Sequence, residues 1–215
     1  MMTSPMTEPS IDWSARRPLI AILRGIAPAE VEAHVLALIE AGIGLIEIPT
    51  NSPEWLRSVE LALAVAGERA LIGAGTVLNP ADVDALTATG ARLMVTPNTD
   101  AAVIRHAVQR GLSCAVGFAT PSEAFAALAA GAQALKLFPA SHFGPAYVRA
   151  IKAVLPPRVP VFAVGGVTPD NLAGFLHAGC AGAGLGSDLY TPGQSPALTR
   201  ERGGLFVDAY QSARP

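Results

Sequence analysis

A single-domain (β/α)8 barrel is the fold class this 215-residue sequence predicts, and three observations predict it. Short β-branched runs alternate with alanine- and leucine-rich segments of helical period from residue 19 nearly to the end. Eight such runs occur, one for each strand of a barrel. The runs are apolar on both faces, the pattern of a parallel sheet covered by helices, and a chain 51% hydrophobic and 15% charged supplies one large core. Right-handed crossovers repeated eight times favour closure over an open doubly wound sheet, although periodicity alone does not report closure.

In chain order, "LIAIL" (19–23) opens the barrel, and "PAEVEAHVLALIEAG" (28–42) follows it with a proline at its start and a glycine at its end, the punctuation of a helix. "LIEIP" (45–49) and "LIGAGTV" (71–77) are the second and third strands, and "NPADVDALTATG" (79–90) repeats the helix grammar. "LMVTP" (93–97), "SCAVGFA" (113–119) and "ALKLFP" (134–139) continue the sheet, with "TPSEAFAALAAG" (120–131) as the helix between the last two. "VFAVGG" (161–166), the helix "TPDNLAGFLHAG" (168–179) and "GAGLGS" (182–187) complete it. The chain is short for a barrel, so short loops are expected. "TPGQSPALTRERGG" (191–204) reads equally as a subunit contact, a rim over a pocket or a lead into the last helix.

Residues 1–17 read as a polar leader and N-terminal segment and 18–215 as the barrel; "MMTSPMTEPSIDWSARR" lacks the apolar centre of a signal peptide. The least charged stretch, 171–187, is glycine-rich and carries His177, unlike a membrane span. A net charge of −2 with scattered arginines and lysines leaves no basic stripe for nucleic acid. Cys114 and Cys180 sit in apolar runs and read as buried thiols of a reducing compartment, so the cytoplasm is expected. None of the four histidines has metal-ligand spacing, and no carboxylate cluster suggests Mg²⁺ or Zn²⁺.

Strand alternation puts Ala134, Lys136 and Phe138 on one face and Leu135 and Leu137 on the other. The leucines meet the helices, so Lys136 points into the barrel. By the same rule Glu47 shares the inner face with Leu45 and Pro49. Closure brings these two residues of the sixth and second strands to one cavity. A buried ion pair holding the register is one account of them. Against it, both residues lie near C-terminal strand ends, where barrel enzymes place their chemistry. An amine in an apolar cavity loses charge and can attack a carbonyl to give a protonated imine, an electron sink for breaking the adjacent C–C bond. Glu47 then suits a proton shuttle.

Glycines end the seventh and eighth strands in "AVGGVTP" and "AGLGSDL", where a helix dipole and freed N–H groups would cradle an anion. Gly165, Gly166, Gly186 and Ser187 are the candidates. Tight turns would also use glycine there. Arg24 and Thr76 end the first and third strands at the same mouth and suit a substrate carboxylate or hydroxyl; a solvated rim charge is the plainer account of Arg24.

Taken together, "AILRGI", "IEIPTNSP", "GAGTVL", "VTPN", "ALKLFPAS", "FAVGGVTPDNL" and "GAGLGSDLY" resemble the class I 2-keto-3-deoxy-6-phosphosugar-acid aldolases over about residues 18–210. The resemblance implies cleavage of a phosphorylated keto-deoxy sugar acid to pyruvate and D-glyceraldehyde 3-phosphate, with no metal or cofactor, by a homotrimer. It puts the imine lysine on Lys136, the proton-transferring glutamate on Glu47, carboxylate-side contacts on Arg24 and Thr76, and phosphate contacts on Gly165, Gly166 and Ser187. Gluconate-type members carry an arginine and a threonine where this chain has Asn51 and Val164, so the galactonate epimer is expected, with Val164 withholding a hydroxyl beside substrate C4. The gluconate epimer, a non-covalent sugar-phosphate isomerase or epimerase using Lys136 and Glu47 as acid and base, and a phosphosugar-binding regulator are the alternatives.

Overall fold

The computed structural model describes Trp13 and residues 16–213; most of the leader expected at residues 1–17 lies outside the described residues. Strands and helices alternate throughout: β1 (Leu19–Ile22), α1 (Pro28–Glu40), β2 (Leu45–Pro49), α2 (Trp55–Ala66), β3 (Leu71–Gly75), α3 (Pro80–Ala88), β4 (Leu93–Val95) and α4 (Ala101–Gln109). The second half repeats them as β5 (Ser113–Phe118), α5 (Pro121–Ala129), β6 (Ala134–Leu137), α6 (Ala140–Lys152), β7 (Val161–Val164), α7 (Pro169–His177), β8 (Gly182–Leu185) and α8 (Pro196–Ser212). All neighbouring strands pair in parallel and β8 pairs with β1, Leu19 opposite Ala183, so the sheet is a closed (β/α)8 barrel.

Helix starts follow from local chemistry. Pro28, Pro80, Pro121, Pro169 and Pro196 each occupy the first turn of a helix, where a missing N–H costs nothing. Asn79 accepts from Asp82 N at 2.9 Å. Thr120 and Glu123 cap α5 reciprocally, Glu123 Oε2 accepting from Thr120 N at 2.8 Å. Such a cap stabilises a helix by about 1 kcal/mol. Helix α6 is kinked at Gly144, φ +70°, with Pro145 next.

Alternation sorts the core into two layers. Leu135, Leu137, Ile46 and Ile48 pack outward with the helices. Ile20, Ile22, Leu45, Leu93, Val95, Ala115, Ala134, Phe162 and Val164 fill the barrel interior. Trp13 packs edge-on against Phe162, ring centroids 5.5 Å apart, at the bottom of that interior layer. Burying a side chain the size of Phe162 contributes about 1.5–3 kcal/mol.

Several strands stop earlier than the sequence predicts, all at their C-terminal ends. β3 ends at Gly75, so Thr76 leaves the sheet with a left-handed φ of +57°. β7 ends at Val164 and β8 at Leu185, which puts Gly165, Gly166, Gly186 and Ser187 in turns. β6 ends before Phe138, whose peptide bond to Pro139 is cis. The expected helix dipole behind the eighth strand is also corrected. Leu189 N and Tyr190 N donate to Gly186 O, making a single turn, and α8 begins only at Pro196.

Candidate active site

A cavity of about 670 Å³ opens at the C-terminal mouth, within the range of small-ligand sites. Its walls include Arg24, Thr76, Lys136, Phe138, Val164, Gly165, Gly166, Gly186 and Ser187. Every candidate from the sequence therefore lines the cavity except Glu47, which is 1% exposed.

Lys136 is 5% exposed and points inward from β6. Its Nζ lies 5.2 Å from the Phe138 ring centroid. Glu47 points inward from β2, in register with Ile22 and Gly73 on the flanking strands. Its carboxylate occupies the space over Gly75, where any Cβ would displace it. Glu47 Oε2 is buried and has no hydrogen-bond partner. Lys136 and Glu47 make no ion pair within 4.0 Å, which sets aside the structural ion-pair account.

Electrostatics pushes both groups toward neutrality. Burial lowers the Lys136 pKa below the usual lysine range; the Glu47 charge opposes this, and Arg24 adds to it. Burial raises the Glu47 pKa, with Lys136 and Arg24 pulling it back. An amine with a lowered pKa and a carboxyl with a raised one suit attack on a carbonyl and proton transfer to the adduct.

The loop after β2 organises two neighbouring strand ends, a role not evident from its sequence. Thr50 Oγ1 donates to the Thr76 carbonyl at 2.7 Å. Arg24 Nη1 donates to Asn51 Oδ1 at 2.7 Å, and Gly25 N donates to Ser52 Oγ at 2.9 Å. Thr50 thus braces Thr76, a β-branched residue in a left-handed conformation that costs roughly 1–2 kcal/mol. Asn51, read from sequence only as a branch marker, aims Arg24.

At the opposite wall Gly165 and Gly166 have φ of +93° and +70°, conformations that glycine adopts without strain. A Cβ on Gly166 would stand 2.6 Å from Ser141 Cβ. Among the described residues, the N–H groups of Gly166, Val167, Ser187 and Asp188 donate to no protein acceptor. Free backbone donors in two adjacent turns form an anion cradle, with α7 directly behind the first turn.

A model of the KDPG and KHG aldolases matches residues 13–198. The chain belongs to the KDPG and KHG aldolase family. Within that family it is 57% identical to the 2-dehydro-3-deoxy-6-phosphogalactonate aldolase of Escherichia coli K12, across 94% of this chain and 99% of the relative. Among solved structures, "Native KDPGal structure" superposes with a TM-score of 0.90 at 59% identity, covering 91% of this chain and 95% of that one. A cube-shaped protein cage designed by fusing symmetric oligomeric domains gives a TM-score of 0.89 at 58% identity, covering 91% and 72%. Among the described residues of this family member, no helix is long and apolar enough to cross a membrane.

Proposed function

We propose that the protein is a class I aldolase that cleaves 2-dehydro-3-deoxy-6-phospho-D-galactonate to pyruvate and D-glyceraldehyde 3-phosphate through an imine on Lys136. The observation that carries this reading is the buried Lys136 beside an unpartnered Glu47 carboxyl at the floor of the cavity.

Lys136 Nζ adds to the C2 carbonyl of the substrate, and Glu47 donates the proton that lets the carbinolamine hydroxyl leave as water. The protonated imine then draws electrons from the C3–C4 bond. As that bond breaks, the C4 hydroxyl gives its proton to the Glu47 carboxylate and becomes the aldehyde of the triose phosphate. The electron pair remains on C3 as an enamine. Glu47 returns the proton to C3, and water releases pyruvate from the imine. Arg24, held by Asn51, and Thr76 bind the C1 carboxylate. The free backbone N–H groups of Gly166, Val167, Ser187 and Asp188 receive the phosphate, with Gly165 and Gly186 shaping the two turns that carry them.

Val164 and Asn51 support the galactonate epimer over the gluconate one, as does the name of the 57%-identical relative. A homotrimer is the proposed assembly from the family resemblance; the cage of fused symmetric oligomeric domains supports an oligomer, and light scattering measures its size directly. A reducing cytoplasmic setting is proposed from the unpaired buried thiols of Cys114 and Cys180, both pushed up to a pKa of about 12 by burial.

The test is intact mass after incubation with pyruvate and borohydride. A single reduced pyruvyl adduct mapped to Lys136 is expected. Folded protein with excess pyruvate and no adduct overturns the covalent mechanism in favour of acid–base isomerisation. Kinetics with the two phosphorylated epimers then test the galactonate preference.

A further inference from the structure

The segment from Gly186 to Gly193 crosses the cavity mouth without strand or helix support of its own, yet it is densely fastened. Gly186, Ser187, Asp188, Tyr190, Thr191 and Pro192 all line the cavity. The ring of Pro192 reaches the opposite rim, where it would meet a Cβ on Gly25 at 2.9 Å. The strap therefore spans from the anion cradle to the Arg24 side.

One side chain outside the cavity holds it. Gln194 Oε1 accepts from Thr191 N at 3.0 Å, Thr191 Oγ1 at 3.2 Å and Arg202 Nη1 at 3.1 Å. Its Nε2 donates to Leu189 O at 2.9 Å and to Thr199 Oγ1 at 2.7 Å. Both ends of the amide are thus used, two bonds reaching α8 and the rest closing on the strap itself. Behind it, buried His34 of α1 bonds Thr199 Oγ1 through Nδ1 at 2.8 Å. The His34 ring stands edge-on to Tyr190, centroids 5.0 Å apart. Arg202 Nη1 additionally approaches Ser187 O at 3.5 Å. Hydrogen bonds that use both ends of the Gln194 amide fix one loop geometry, which a partly bonded amide would not.

We propose that Gln194 is a positioning residue for the phosphate end of the substrate, holding the strap against α8 so that the free N–H groups of Ser187 and Asp188 stay aimed into the cavity. This rests on the aldolase reading. Of "TPGQSPALTRERGG", it assigns Thr191 and Pro192 to the rim over the pocket, while the stretch from Pro196 onward is the start of α8. Gln194 touches no substrate atom; it acts by removing the loop disorder that phosphate binding would otherwise have to overcome.

The test compares synthesis from pyruvate with D-glyceraldehyde 3-phosphate and with D-glyceraldehyde, whose kcat/KM ratio reports recognition of the phosphate alone. Gln194→Leu is expected to lower that ratio about tenfold, through KM of the phosphorylated aldehyde, with borohydride trapping of pyruvate on Lys136 retained. A merely structural defect lowers both aldehydes equally and overturns the proposal, as does an unchanged ratio. Should Gln194→Leu fail to fold, Thr199→Val removes one of its anchors and must still lower the ratio; a folded Thr199→Val with the wild-type ratio overturns the proposal. Absence of any pyruvate adduct in the wild type overturns the aldolase reading and the proposal with it, whereas a wild-type adduct with an unmoved ratio overturns the proposal alone.

Discussion

At the floor of the cavity the proposed chemistry rests on two side chains taken out of water, Lys136 and Glu47, each driven toward its neutral form by burial. At the rim the equipment is different: backbone N–H groups in the turns after β7 and β8, glycine conformations, and a strap fastened by Gln194. The floor sits on strands in fixed register, so its geometry is as rigid as the sheet. The rim sits on turns, whose geometry has to be supplied by hydrogen bonds from outside the cavity. Floor defects should therefore appear in bond cleavage, rim defects in binding of the phosphorylated end.

The largest expected effect breaks the floor. Lys136→Met removes the proposed nucleophile, and cleavage should fall by at least about four orders of magnitude with the fold retained by circular dichroism. The same variant should melt higher than the wild type, because an ammonium no longer has to be neutralised on folding. The sign follows from linkage. With a folded-state pKa below the unfolded value, the unfolded chain binds the extra proton, and wild-type stability rises with pH between the two. The gap in Tm is thus widest below the lowered Lys136 pKa and closes as pH approaches ~10.4.

Glu47→Gln keeps the shape over Gly75 and removes the proton carrier. Turnover should drop by roughly 10²–10⁴, while a borohydride adduct still forms on Lys136. Loss of the anion removes what raises the Lys136 pKa, so the acid limb of adduct formation should move to lower pH. An unshifted limb would mean that the two groups do not sense each other in solution.

How much of this was legible in the sequence divides along the same line. Period-two alternation in "ALKLFP" and "LIEIP" put Lys136 and Glu47 on the inner face, because a side chain's face on a strand is set by parity alone. Nothing comparable encodes the rim. The shortening of β3 and β7 coincides with positive φ at Thr76, Gly165 and Gly166, and a threonine gives no local signal of a left-handed turn. The grip of Thr50, Asn51 and Ser52 on neighbouring strand ends joins residues at least 26 positions apart, and that of His34 on Thr199 joins residues 165 apart. Those pairings exist only once the barrel closes.

Rim geometry is broken most directly at Gly166. Alanine there meets both a left-handed backbone penalty of about 1–2 kcal/mol and a 2.6 Å approach to Ser141 Cβ. Measured by steady-state kinetics, Gly166→Ala should raise KM for the phosphorylated substrate roughly tenfold, while pyruvate trapping on Lys136 falls far less. Equal losses in both would erase the distinction between the two ends.

The smallest effect sharpens the comparison where floor and rim meet. Val164 is 4% exposed, lines the cavity and ends β7 one residue before Gly165. Threonine nearly matches valine in volume, so Val164→Thr changes chemistry more than shape. It brings a hydroxyl toward the carbon whose configuration separates the galactonate and gluconate epimers. A hydrogen bond made to one epimer alone is worth about 0.5–1.5 kcal/mol. The ratio of kcat/KM for the galactonate over the gluconate substrate should therefore fall roughly two- to tenfold, carried by both constants, since the C4 hydroxyl is bound at the rim side and reacts at the floor. A ratio that does not move would place epimer choice elsewhere, with the Asn51-held Arg24 as the next side chain to vary.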